Sequence, residues 1–425
     1  MSHKNISINY AILAIPLAFV GLPIYINVSD FYIRYFEVNI AYLAFIILAV
    51  RLIDTIQEPL LGLFSDYLNK RNISYHKIIY YSGFFLGLSF FGLFNPPSFL
   101  AGNLVLLWLA GSMIATYSFF NLAVINFESL GVIIAKDSAQ RITINSHKEL
   151  CGLIGILIAS ATPTLLRYVT NNDQHNYFYL SVVFVFLLFG AIVLFFRRLE
   201  VSKPSTPQIH FQSLVKTQIF STILRNKIFM KLMLIIFLNA TAVSLPASVI
   251  TYFVNDILQA GDKLGIFLVI YFLSAGVFMN FWRFIAKRFG KVNCWYLSII
   301  GSVITFICAF FVDSSNYQLF YLICFASGIF LGADLMMPPI LIADIIQNKS
   351  GMISSYISSW SMINKLGLAL ASFASLAILS LVNYDPKILN SASTLVIPIL
   401  YTILPCILKL SVFILLIKDQ NLKKL

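Results

Sequence analysis

Charge is what this sequence has least of. Only 11% of its 425 residues are Asp, Glu, Lys or Arg, less than half of the ~25% found in an ordinary soluble domain. Acids are scarcer than bases, 17 against 29. Histidine occurs five times, at His3, His76, His147, His175 and His210. These are scattered and mostly polar-flanked, so no metal-ligand spacing emerges. The five cysteines, Cys151, Cys294, Cys308, Cys324 and Cys406, form no CxxC pair and lie in or beside apolar runs. That placement suits small core residues better than disulfides or metal ligands. A cluster of acids or histidines at one membrane face, which a lipid-linked transferase needs to hold metal and phosphate, is missing too. The apolar run after MSHKNISINY lacks a small-residue cleavage site, so it reads as a retained first span rather than a signal peptide.

Apolar residues fill the chain instead: 59% are hydrophobic, and 39 are Phe. The runs are continuous over about 20 residues, the length a helix needs to cross the hydrocarbon core. Barrel strands would alternate over about ten residues. The predicted fold class is therefore an all-α membrane protein. Twelve spans stand out, near 8–29, 38–64, 75–95, 99–125, 149–169, 177–197, 228–254, 264–285, 292–312, 317–346, 352–382 and 393–417. The longest connection, roughly 198–227, is basic and carries Pro204 and Pro207. It separates an N-terminal six-helix bundle, 1–197, from a C-terminal six-helix bundle, 228–425.

A net charge of +12 would suit nucleic acid, but the bases fall in short loops between apolar runs, so no such partner is expected. With the N-terminus inside, 22 of the 29 bases lie on the cytoplasmic side. Four (Arg34, Arg167, Lys263 and Lys387) lie outside, and Arg51, Lys365 and Lys409 fall within apolar runs. Lys and Arg in short loops set membrane orientation. Both termini and the central loop are thus expected to be cytoplasmic, in a monomeric multi-pass protein of a bacterial inner membrane. GLFSDYLNKR after span two and FIAKRFGK after span eight echo each other. Transporters are often built from such repeats, with the substrate site between them.

Ionisable groups inside spans cost roughly 2.5–3.5 kcal/mol each on insertion scales, and they usually face a cavity or a partner. In RLIDTIQEPLLGLFSD, Arg51, Asp54 and Glu58 recur at helical spacing and are expected to project from one face. Pro59 is placed to kink the helix beside them. Two carboxylates beside one guanidinium make a site for a cation or a proton, and so close a pair disfavours double ionisation. The blander reading is a buried salt-bridge cluster that ties span two to a neighbour. Two acids against one base favour the functional reading.

Lys365 in span eleven is expected to partner Asp54 or Glu58 from the other half. Lys409, about two turns from the end of span twelve, is expected to snorkel. Asp334 lies in a span expected to be bent or interrupted by Gly328, Gly332, Pro338 and Pro339, and is a candidate substrate contact. Asp344 belongs near the cytoplasmic end, as a gate or cap. Tyr25 and Tyr32, near the outer end of span one, read first as interfacial anchors, with substrate contact as the alternative.

The span-two pattern of Arg51, Asp54, Glu58, Pro59, Gly62 and Asp66 resembles the R-x-x-D-x-x-x-D-P-x-x-G-x-x-x-D motif of the glycoside–pentoside–hexuronide:cation symporters. These are the melibiose permease-like branch of the major facilitator superfamily. Asp137 and Arg141 in AKDSAQRITINSHKE match further, as do Asp344, Gly351, Lys365 and Gly367 in LIADIIQNKSGMISSYISSWSMINKLGLALAS. The resemblance implies two six-helix bundles and alternating access. It implies a cation site at Asp54 and Glu58 with Lys365 close by, and a cytoplasmic gate loop of Gly62, Asp66, Lys70 and Arg71. There are departures. Glu58 stands where the family usually has Asp, the sugar-binding acid of span one has no counterpart, and Asn121 stands as its span-four partner, with Ala123 for the usual proline. The acid-rich motif after Asp344 is reduced to Ile-Ile-Gln.

The function expected is secondary active transport: cation- or proton-coupled symport of a small polar, sugar-like solute, with Na⁺ or H⁺ as coupling ion and no cofactor. Lipid or lysolipid transport on the same fold is the alternative within transport. A membrane enzyme or a non-transporting sensor is the alternative from another class.

Overall fold

The computed structural model describes residues 3–36, 38, 40–100, 102–169, 173–198, 216–347, 351–382, 384 and 391–419. Among these, every regular element is helical and there is no strand. Continuous apolar runs demand this, because a chain in hydrocarbon must pair its backbone groups internally. Most of the expected central loop lies outside the described residues.

By its internal contacts the chain forms two units: Met1–Ser221 with Ile346–Ser359, and Thr222–Ile345 with Trp360–Leu425. The first contains α1 (His3–Ala11), α2 (Ala14–Phe36), α3 (Ile40–Lys70), α4 (Tyr75–Phe94), α5 (Asn103–Ile134), α6 (Ser138–Val169) and α7 (Asp173–Arg198). A short amphipathic helix, α8 (Lys216–Arg225), runs across the boundary at Ser221–Thr222. The second unit is built from α9 (Lys227–Tyr252), α10 (Leu264–Phe289), α11 (Lys291–Ala309), α12 (Leu319–Ile346) and α13 (Ile353–Leu381). It closes with α14 (Ser391–Pro398) and α15 (Leu404–Lys418), which a π-turn joins. The first turns of α13 belong to the first unit.

Ten helices among the described residues are long and apolar enough to cross a membrane. The other two spans are α2 and α3. α3 has 31 residues, ample length for a span. Several helices outrun the apolar stretch that reveals them. α5 continues to Ile134, and α6 starts at Ser138, so most of the loop expected between spans four and five is helical. The start of span one differs as well: the chain turns at Ile12–Leu13. Pro16 falls in the first turn of α2, where its missing N–H is harmless.

Between lipid-immersed helices there is little hydrophobic drive, so association depends on close packing and small residues. Gly155 on α6 illustrates this, since a Cβ there would lie 2.2 Å from the Ile15 carbonyl oxygen on α2. The core of the first unit is aromatic. Tyr10 stacks on Phe127 with centroids 4.3 Å apart, and its hydroxyl donates to the Phe127 carbonyl at 2.8 Å. In the second unit Phe253 stacks on Tyr401, also at 4.3 Å.

α12 is not interrupted. It runs from Leu319 to Ile346 with Pro338 and Pro339 inside, as membrane helices permit when neighbouring helices hold the segment. π-turns appear instead at the end of span seven, Phe253–Ile257, and within span twelve, at Ile399–Ile403. There the Leu404 N–H bonds the carbonyl five residues back. This wide turn accommodates Pro405, which has no N–H to give.

Candidate functional site

In the first unit, α3 packs along α5 and buries two acids one turn apart. Asp54 is 6% exposed and Glu58 1%. Asn121 on α5 donates its side-chain amide to Asp54 Oδ1 at 2.6 Å, and Gln57 donates to the same oxygen at 3.4 Å. Ser118, one turn before Asn121, donates to Gln57 Oε1 at 2.8 Å. Arg51 is exposed, whereas the two acids are buried. Seven residues are almost two whole turns, so position 51 lies within about 20° of position 58 around the helix, and the two differ in level along α3 rather than in face. The side chain of Tyr25 lies outside the described residues. Tyr32 is buried and donates to the Leu93 carbonyl at 2.9 Å, a packing role within the unit.

The far end of α3 meets the start of α13 inside the same unit. Asp66 is 1% exposed. Its Oδ1 accepts the Ser354 N–H at 3.1 Å, and its Oδ2 accepts the Ser355 N–H at 2.9 Å together with the Ser355 hydroxyl. These are first-turn donors of α13, which have no partner within the helix, and they carry the positive end of its dipole. Ser65 supports the contact, its hydroxyl lying 3.0 Å from Ser354 Oγ and 2.6 Å from Asn126 Oδ1 on α5. Gly62 permits it, because a Cβ there would stand 2.0 Å from Ser358 Oγ and 2.8 Å from the Ser354 carbonyl oxygen. Lys70 and Arg71 are exposed at the end of α3, with the Arg71 guanidinium 4.7 Å above the Tyr67 ring. Asp137 accepts the Gln140 N–H at 2.8 Å as the N-cap of α6, and Arg141 donates to Gln347 Oε1.

The second unit holds the other candidates. Asp334 pairs with Lys409, and both are buried. Trp295 Nε1 donates to Asp334 Oδ1 at 2.8 Å, and Lys409 Nζ donates to Asn239 Oδ1 at 2.9 Å. Lys409 therefore does not snorkel. A buried carboxylate across the bundle holds it, and so close a countercharge outweighs the pull of the interface. Asp344, at the end of α12, pairs with Lys291 at the start of α11. Lys365 is half-buried on the part of α13 that belongs to this unit. Among the described residues, no three His, Cys, Asp or Glu side chains come together to hold a metal.

A family model described as MFS/sugar transport protein matches residues 7–418. The chain belongs to this family. No curated protein matches it. Among solved structures, a bacterial homologue of the iron transporter ferroportin in an outward-facing state aligns with a TM-score of 0.73 at 12% identity, covering 98% of this chain and 99% of that one. The E. coli fucose:proton symporter aligns with a TM-score of 0.72 at 13% identity, covering 98% of each chain. At such identities the likeness is one of fold. The family match is what makes this chain a transport protein of the major facilitator superfamily.

Sequence reasoning missed several partners in this family member. Asn239, Trp295 and Lys291 are single polar or aromatic residues on apolar helices, and nothing local marks them. Gln57 and Ser118 had a signal: Gln57 adjoins Glu58, and Ser118 lies three residues before Asn121, on the same helical face.

Proposed function

We propose that the chain is a secondary active transporter that couples uptake of a small polar, sugar-like solute to a cation or proton, with Asp54 and Glu58 as the coupling carboxylates. The observation that carries this reading is their burial one turn apart on α3, where Asp54 takes amide donors from Asn121 and Gln57. A membrane helix bears the cost of two buried acids readily where their charge is used. So close a pair also favours a singly protonated or cation-bound form over double ionisation. Na⁺ and H⁺ are the candidate coupling ions. The span-two motif supports placement in the glycoside–pentoside–hexuronide:cation branch. The basic loops support cytoplasmic termini in a bacterial inner membrane. Asp66 on the α13 N-terminus, with Gly62 beneath it, suits a gate contact that is made in one transport state and broken in the other, since only a state-dependent interaction can bias such a cycle.

The test uses protein reconstituted in vesicles with an imposed Na⁺ or pH gradient and a labelled panel of hexoses, pentoses and lysophosphatidylcholine. Concentrative uptake of a sugar is expected, with Asp54→Asn and Glu58→Gln reducing it to exchange down the solute's own gradient. Variants that still concentrate solute would sink the coupling role. Transport of lysolipid alone would move the substrate class to lipid.

A further inference from the structure

The second unit contains a cavity of about 270 Å³, walled by α9, α10, α11, α12 and the π-turn and first turn that open α15. Its walls are mostly apolar: Phe267, Tyr271, Phe306, Leu331, Tyr401 and Pro405. Two charged side chains also line it, Asp334 and Lys409, and these are the buried ion pair. Apolar residues of similar volume commonly replace a buried pair without loss of stability, so a pair retained at the wall of an apolar cavity points to use rather than support. π-turns, too, recur at functional sites, and this one contributes Tyr401 to the wall.

We propose that this cavity binds a neutral, largely apolar molecule carrying one hydrogen-bond acceptor, a carbonyl or hydroxyl oxygen, which Lys409 receives. Lys409 has three ammonium protons. Asp334 and Asn239 accept two of them, and the third is available to a ligand. Both Asp334 oxygens already accept, one from Lys409 and one from Trp295, so the site offers a donor more readily than an acceptor. The pair is neutral as a whole, and a net charge brought into an apolar cavity would be left uncompensated. A charged ligand is thus disfavoured. The volume falls slightly below the ~300 Å³ at which drug-sized pockets begin, which suits a body of one or two rings. The site lies entirely within one unit and does not rest on the coupling role of Asp54 and Glu58.

Benzophenone is a suitable probe, being apolar, neutral, equipped with one carbonyl and photoreactive. Purified protein is irradiated with it and the labelled peptides are mapped by mass spectrometry. Saturable labelling at Tyr271, Phe306, Leu331 or Tyr401 is expected. Diphenylmethanol should compete at least roughly tenfold better than diphenylmethane, the worth of one hydrogen bond to a charged group. Leu331→Trp should abolish the saturable component by filling the cavity. The double variant Asp334→Asn/Lys409→Met keeps the cavity and an acceptor for Trp295. It should still be labelled, but with the preference for the alcohol over the hydrocarbon gone. Weaker labelling in lipid nanodiscs than in detergent assigns the natural occupant to the bilayer, and equal labelling assigns it to the aqueous phase. Labelling that does not saturate, or an alcohol preference that survives in the double variant, overturns the proposal.

Discussion

The two units hold their buried carboxylates by different chemistry. In the first, Asp54 takes amide donors from Asn121 and Gln57, and Asp66 takes two backbone N–H groups and a serine hydroxyl. In the second, Asp334 faces the ammonium of Lys409, and Asp344 faces that of Lys291. The first unit also holds an ion cluster, Lys148 between Glu128 at 2.6 Å and Glu149 at 2.9 Å. Neutral donors can be exchanged for a cation or a proton without stranding a charge. An ammonium partner, once removed, leaves an uncompensated ion. The neutral donors named for Asp54 and Asp66 suit the exchange of partners proposed for them, and the ammonium pairs of Asp334 and Asp344 suit staying paired.

The largest effect that tests this contrast is expected at Lys409. Lys409→Met strands Asp334 in an apolar bundle and should destabilise the protein by about 3–5 kcal/mol, whereas Asp334→Asn/Lys409→Met should recover most of that loss. Thermal or denaturant unfolding in detergent measures both. A single variant as stable as the unchanged protein would mean that Asp334 takes up a proton at little cost, and the second unit would then resemble the first. The next effect is expected at Asn121. Asn121→Leu removes the 2.6 Å donor to Asp54 and should cost about 1.5–3 kcal/mol, the range for one hydrogen bond to a charged group. A loss as great as that of Lys409→Met, in the same unfolding assay, would remove the distinction between the units.

Much of this was legible in the sequence, because it depends on local pattern. Continuous apolar runs marked the helices, and the spacing of Asp54 and Glu58 placed both acids on one stripe of α3. Arg51 is the instructive exception, since spacing shows which residues share a face but not how far along the helix a partner covers it. Contacts between helices were not legible. Asp334 meets Lys409 across 75 residues and Asp66 meets Ser355 across 289, and periodicity shows which face is buried without saying what opposes it. Lys409 was misjudged for this reason: distance from a helix end suggests snorkelling, but a carboxylate across the bundle decides otherwise. Helix ends were also hidden, because hydropathy marks only the part of α5 and α6 that lies in hydrocarbon.

The smallest effect is expected at Asp66, and it tests the contrast at the other end of α3. Asp66→Asn keeps an acceptor for one of the two α13 N–H groups but turns an amide N–H₂ toward the other, and it removes the charge that complements the helix dipole. Interactions of a carboxylate with a helix N-terminus are worth about 0.3–1 kcal/mol when exposed and up to ~2 kcal/mol when partly buried. The loss should therefore be about 1–2 kcal/mol in the unfolding assay. Hydrogen exchange at the Ser354 and Ser355 amides should rise with it, since those donors are the ones set free. A loss in the range expected for Lys409→Met would show that Asp66 is held as firmly as an ion-paired acid. That would disqualify it as a contact made and broken during transport, and the gate reading of Gly62 and Asp66 would fall with it.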